Sequence, residues 1–193
     1  MKTVTTIMLG ASALALAACG PKAQPADQNT TVAAGETMTT DMATNDTAMA
    51  PAAMSPGQTF ANAAAQSDAF EIATSELAAT AANAAKVKTY AASMIKMHNE
   101  STAKLKSTTA ALTPAIVPDP ALTPEQQATL DGLKTKTGKD FDTAYAAAQV
   151  AAHTATLAKL KDYAATGDVP ALKTFASGMV PTVTAHLNMA KGL

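Results

Sequence analysis

Apolar residues recur every three to four positions over four long stretches of the chain, the spacing of a helix with one buried face, and no alternating strand pattern interrupts them. In residues 55–82 the repeating positions are Phe60, Ala63, Ser67, Phe70 and Leu77. Ser55-Pro56-Gly57-Gln58 opens this helix with a capping hydroxyl, a first-turn proline and a glutamine that can close a capping box. In residues 84–112, with Asn83 as the expected cap, Val87, Ala91, Met94, His98, Thr102, Leu105 and Leu112 fall on one line. Thr113-Pro114 and Pro118-Asp119-Pro120 stop that helix. Thr123-Pro124-Glu125-Gln126 then starts a short helix that Gly138 is expected to end. Residues 139–165 align Phe141, Tyr145, Gln149, His153, Leu157 and Leu160. After a break and a new cap at Gly167-Asp168, the last helix carries Leu172, Phe175, Met179, Val183, His186 and Ala190, and Pro181 is expected to kink or divide it. The expected fold class is all-α: a four-helix bundle, ferritin-like, with a short extra helix between the second and third long helices. A connection that folded back as a hairpin would instead give a simple up-and-down bundle.

The chain ahead of these helices reads differently. Lys2, the apolar run from Val4 to Ala15 and the small residues that follow have the form of a secretory signal, too short to span a membrane. Leu16-Ala17-Ala18-Cys19 resembles a lipobox, so residues 1–18 are expected to be removed and Cys19 to carry a covalent lipid, the one link to a membrane. Gly20 stands where an aspartate would retain a lipoprotein at the inner membrane, which favours the outer membrane, with the domain facing the periplasm. Residues 19–54 hold a single branched aliphatic residue, Val32, and are expected to form a disordered tether to a bundle domain at 55–193.

Composition narrows the chemistry. Cys19 is the only cysteine, so its lipidation would remove disulfides, thiolate catalysis and cysteine-based zinc sites. Every basic residue is lysine, and 14 of them against 15 acidic residues give a formal charge of −1, without a basic block or the arginine fork that reads phosphate; nucleic acid is not an expected partner. No nucleophile elbow or glycine-rich phosphate loop occurs, and Glu71 and Glu76 lie on different faces of one helix, so no catalytic residue is assigned and an enzyme is not expected.

The candidate chemistry lies with three histidines, each on the apolar stripe of a different helix. At about 1.5 Å per residue, His98, His153 and Glu71 fall near mid-height of their helices, and His186 lies about one turn away. One reading is a transition-metal site with His98, His153, His186 and Glu71 as ligands and Met94, Met97, Asp142, Tyr145 and Gln149 in support. The other is a structural polar cluster in a non-enzymatic envelope protein that binds a protein partner or serves a stress role. A di-iron centre is not expected, because Ile95, Val150 and Val183 stand three residues before the histidines, where Glu would be required. Met94, Met97 and His98 form Met-x-x-Met-His, a set suited to Cu(I), and Met38, Met42, Met49 and Met54 add a looser group.

Phe60 with Ala63-Ala64, Ser67-Asp68-Ala69-Phe70-Glu71-Ile72, Tyr90-Ala91-Ala92-Ser93-Met94-Ile95 to His98, Phe141-Asp142 with Tyr145 and His153, and Leu172-Lys173 with Phe175-Ala176, Pro181 and His186-Leu187 resemble the bacterial family known as domain of unknown function 4142. The resemblance spans nearly all of residues 58–191. It implies a ferritin-like helical bundle in an exported or outer-membrane protein, with no established activity. Glu71, His98, Asp142, Tyr145, His153 and His186 match recurrent polar positions of that family. The residue before the second-helix histidine is commonly acidic there and is Met97 here.

Overall fold

The structure, a computed structural model, describes residues 54–193. The signal, Cys19 and the tether methionines Met38, Met42 and Met49 lie outside the described residues. Five helices follow in order: α1 Pro56–Ala81, α2 Ala85–Ala110, α3 Pro124–Lys134, α4 Gly138–Thr166 and α5 Pro170–Ala190. No strand occurs among the described residues, where Ala82 and Gly138 form an isolated bridge. None of these helices is long and apolar enough to cross a membrane. The four long helices form a bundle in which α1 lies against α2 and α4, and α5 against α4 and α2.

Hydrogen bonds trace the connection from α2 to α4. Gln58 Nε2 donates to the Val117 carbonyl, the Asp119 amide to Asn62 Oδ1, and Gln126 Nε2 to the Gln66 carbonyl. The bridge to Ala82 then brings the start of α4 to the end of α1. The connection therefore climbs the length of the bundle beside α1 instead of folding back, and α2 and α4 run parallel.

Local chemistry accounts for several helix ends. Ser55 Oγ accepts from the Gln58 amide, and Thr123 and Gln126 complete a reciprocal capping box at α3. Carboxylates distant in sequence also serve two starts, that of α2 and again that of α1, which corrects the expectations for Asn83 and Asp168. Ala84, not Asn83, is the N-cap of α2, and the amides of Asn83 and Ala84 donate to the Asp142 carboxylate at 3.0 and 2.9 Å. At the opposite end Asp168 does not cap α5, whose N-cap is Val169. Its carboxylate instead accepts from Tyr163 Oη at 2.7 Å and from the first-turn amide of Gly57 at 3.4 Å. A carboxylate at a helix N-terminus meets both unpaired amides and the positive end of the dipole, whichever helix supplies it.

Two further expectations change. Gly138 does not end the short helix, which stops at Lys134; it begins α4 at φ +62°, a conformation that favours glycine. Pro181 lies inside α5, which remains one element through Ala190. At Gly167 the need is for space: a Cβ there would come within 2.6 Å of the Tyr163 ring and carbonyl oxygen.

The core has two apolar clusters. One gathers Val87, Tyr90, Met94, Leu133, Phe141 and Tyr145 toward the end where α4 begins. The other gathers Phe60, Leu105, Leu160, Tyr163, Leu172, Phe175 and Val183 toward the opposite end. Buried polar side chains occupy the level between them: Asp68 and Glu71 on α1, His98 on α2, Gln149 and His153 on α4, and His186 on α5. Small residues on α1, among them fully buried Ala61 and Ala78, let neighbouring backbones approach.

Replacing Asp142 with Ala removes the acceptor of two α2 amides, and a loss of about 0.5–2 kcal/mol is expected. Urea denaturation checks it; an unchanged midpoint would contradict the capping role.

A candidate metal centre in the polar layer

His98, His153 and His186 project into the bundle from α2, α4 and α5 and are 4 %, 1 % and 1 % exposed. Their ring centroids lie 5.4–5.7 Å apart, and one ligating atom from each falls within 4.8 Å of the others. This is the one such group of three or more metal-ligating side chains among the described residues.

Each ring has one nitrogen engaged and one free. His98 Nδ1 lies 2.8 Å from Asp68 Oδ1, and Asp68 Oδ2 accepts from Thr102 Oγ1 at 3.1 Å. His153 Nδ1 lies 2.8 Å from the Gln149 carbonyl oxygen and 3.6 Å from Glu71 Oε1. His186 Nε2 lies 3.2 Å from Met97 Sδ. A carboxylate or a carbonyl can only accept, and a thioether is a weak acceptor, so these partners assign the protons to Nδ1 of His98 and His153 and to Nε2 of His186. The remaining atoms, His98 Nε2, His153 Nε2 and His186 Nδ1, are buried and have no hydrogen-bond partner in the protein. Each carries a lone pair. Burial, the largest cause in both cases, lowers His153 and His186 to about 4, so both are neutral at pH 7 and available as ligands.

The supporting residues divide by position. Asp68, which the helical pattern does not single out, holds His98 in the way that carboxylates orient metal-bound imidazoles. Glu71 is outside the group of converging ligand atoms and faces the engaged Nδ1 of His153. Both its oxygens lack a hydrogen-bond partner, and burial, opposed by the nearby Gln149 side chain, holds its carboxyl well above the usual range. Gln149 presents its carbonyl to His153 and donates its amide to Thr74 Oγ1. Tyr145 pairs with Ser75 at 2.7 Å and stacks on Phe141 in the apolar cluster. Asp142 caps α2 at the end of the bundle, far from the histidines. Met94 is fully buried in the cluster with Tyr90 and Tyr145, whereas Met97 touches His186, so the Met-x-x-Met-His run divides between two environments.

Three imidazoles from three helices offer nitrogen alone, a donor set suited to zinc, copper, iron or nickel with a further position left for another ligand. Three lone pairs converging in a buried site are unfavourable by themselves, and a cation among them reverses that sign.

Glu71→Gln gives a pH-dependent test of the layer without metal. A carboxyl whose folded pKa is raised contributes most to stability below its unfolded pKa, and the contribution is lost as pH rises toward the folded value. The stability of metal-free Glu71→Gln relative to wild type is therefore expected to increase as pH rises above about 4.5, the ordinary value for glutamate. Urea denaturation from pH 4.5 to 8 measures it, and a constant difference would contradict the assignment.

Known proteins bear on the fold and the family. Among solved structures the chain is similar to CopM in the Cu(II)-bound form, with a TM-score of 0.60 and 16 % identity over 70 % of this chain and 93 % of that one. It is likewise similar to CopM in the Cu(I)-bound form, with a TM-score of 0.58 and 14 % identity over 72 % and 95 % of the two chains. At such identities the likeness is one of fold. No curated protein matches the sequence. The profile of the family described as "Domain of unknown function (DUF4142)" matches residues 21–193, and the chain belongs to that family.

Proposed function

We propose that this protein binds a transition metal, copper being the favoured ion, through His98 Nε2, His153 Nε2 and His186 Nδ1. The observations that carry the reading are that three buried histidines from three helices bring one ring nitrogen each within 4.8 Å of the others, and that each ring has a buried nitrogen without a partner. Structural clusters of histidine ordinarily satisfy both nitrogens of each ring, and here one buried nitrogen of each ring has no partner. Copper is favoured over zinc on two grounds: the thioether of Met97 beside His186, and a fold shared with a protein solved in both Cu(I)- and Cu(II)-bound forms. Glu71 and Asp68 act from behind the ligands in this proposal, Asp68 by fixing the orientation of His98. We further propose that the domain is carried on a lipid at Cys19 and a tether over residues 19–54 at the periplasmic face of the outer membrane.

Elemental analysis of tag-free protein reconstituted with Cu(II) is expected to find one equivalent, and His98→Ala, His153→Ala and His186→Ala are each expected to lose it. Asp68→Ala is expected to keep the ligands but weaken affinity by about 10–100-fold, the range seen when the partner of a metal-bound histidine is removed. Copper-free protein after reconstitution would end the proposal.

The anchor has its own test. Metabolic labelling with a fatty acid is expected to mark the wild type and not Cys19→Ser, and equal labelling of the two would refute lipidation.

A further inference from the structure

A small cavity lies beside His98 and His186, lined by residues of all four long helices. Its volume is about 20 Å³, and its walls include Asp68, His98, Ser101, His186 and two methionines, Met97 and Met179. That is room for about one water molecule or one ion. The polar wall belongs to the buried layer, whereas Met97 and Met179 are half-buried. Of the four sides of the bundle, the one between α2 and α5 is the most sparsely joined. Here the protein places two thioethers where a helical core would use Leu as readily.

We infer that Met97, Met179 and His186 Nε2 form an outer site for Cu(I), through which the ion reaches the three histidines. The inference rests on the three-histidine reading and adds to it the oxidation state of the incoming ion and its route. Thioethers favour Cu(I) over divalent ions that prefer nitrogen or oxygen, so the pair filters at the mouth of a site whose inner donors do not discriminate. His186 is the pivot. A neutral imidazole offers one lone pair, so His186 serves the outer site through Nε2 or the inner site through Nδ1, not both together. Transfer inward is ligand exchange: copper stays Cu(I), the bonds to Met97, Met179 and Nε2 break, and bonds to Nδ1 and to Nε2 of His98 and His153 form. The proton leaving Nδ1 is replaced by one at Nε2, exchanged with water along the seam, with no net proton change.

The test uses full-length protein and Cu(I) supplied from a chromogenic chelator, with Co(II) as the divalent probe. In Met97→Leu/Met179→Leu, the ratio of the Cu(I) loading rate to the Co(II) loading rate is expected to fall at least tenfold from wild type. In His98→Ala/His153→Ala, which lacks the inner site, X-ray absorption is expected to show one Cu(I) with sulfur in its coordination shell, and adding the two Met→Leu changes should abolish that signal. An unchanged rate ratio in the folded Met variant overturns the inference, as does a sulfur-free copper shell in the His variant. Failure of wild type to bind either ion at the histidines overturns the underlying metal reading instead, so the two failures are distinguishable.

Discussion

A buried nitrogen lone pair must find a proton donor or a cation, and the middle of this bundle is organised around three that have found neither within the protein. Leaving a buried polar group unpaired costs roughly 1–3 kcal/mol. A chain selected for stability alone would fill these positions with apolar side chains, as it fills the levels on either side. Histidines stand there instead, each held through the other nitrogen of its ring. A metal that binds the folded state and not the unfolded chain returns that cost as stability.

The rest of the fold serves that placement. Two apolar clusters clamp the polar layer from above and below and keep its dielectric low, which strengthens every interaction inside it and keeps His153 and His186 neutral. The helices are also tied across their ends. Asp142 of α4 holds the start of α2, and Asp168, just after α4, holds the start of α1, so α4 fixes the axial register of both neighbours. Register matters here because a displacement of one helical turn, about 5.4 Å, would carry a histidine out of reach of the other two.

How much of this was legible in the sequence follows from which interactions are local. Helix positions, the boxes at Ser55 and Thr123, and the mid-height agreement of the histidines follow from periodicity and a fixed rise per residue. The axial rotation of each helix does not. Asp68 and Glu71 are three residues apart on one face of α1, and periodicity cannot tell which of them meets which histidine. The rotation realised gives His98 to Asp68 and sets Glu71 behind His153. The caps by Asp142 and Asp168 were hidden for a related reason, since capping rules search within a few residues while these carboxylates act across 58 and 111 positions. Met94 and Met97 looked like one motif because they are adjacent in sequence, but they enter different surroundings.

The central claim concerns the state of three individual nitrogens, and long-range nitrogen–proton NMR of the imidazoles reads those atoms directly. In metal-free protein at pH 7, Nε2 of His98, Nε2 of His153 and Nδ1 of His186 should show the shifts of unprotonated ring nitrogens, and all three should move together when one equivalent of Cu(I) is added. Protons found on any of these atoms in the metal-free protein, or resonances indifferent to copper, would contradict the account.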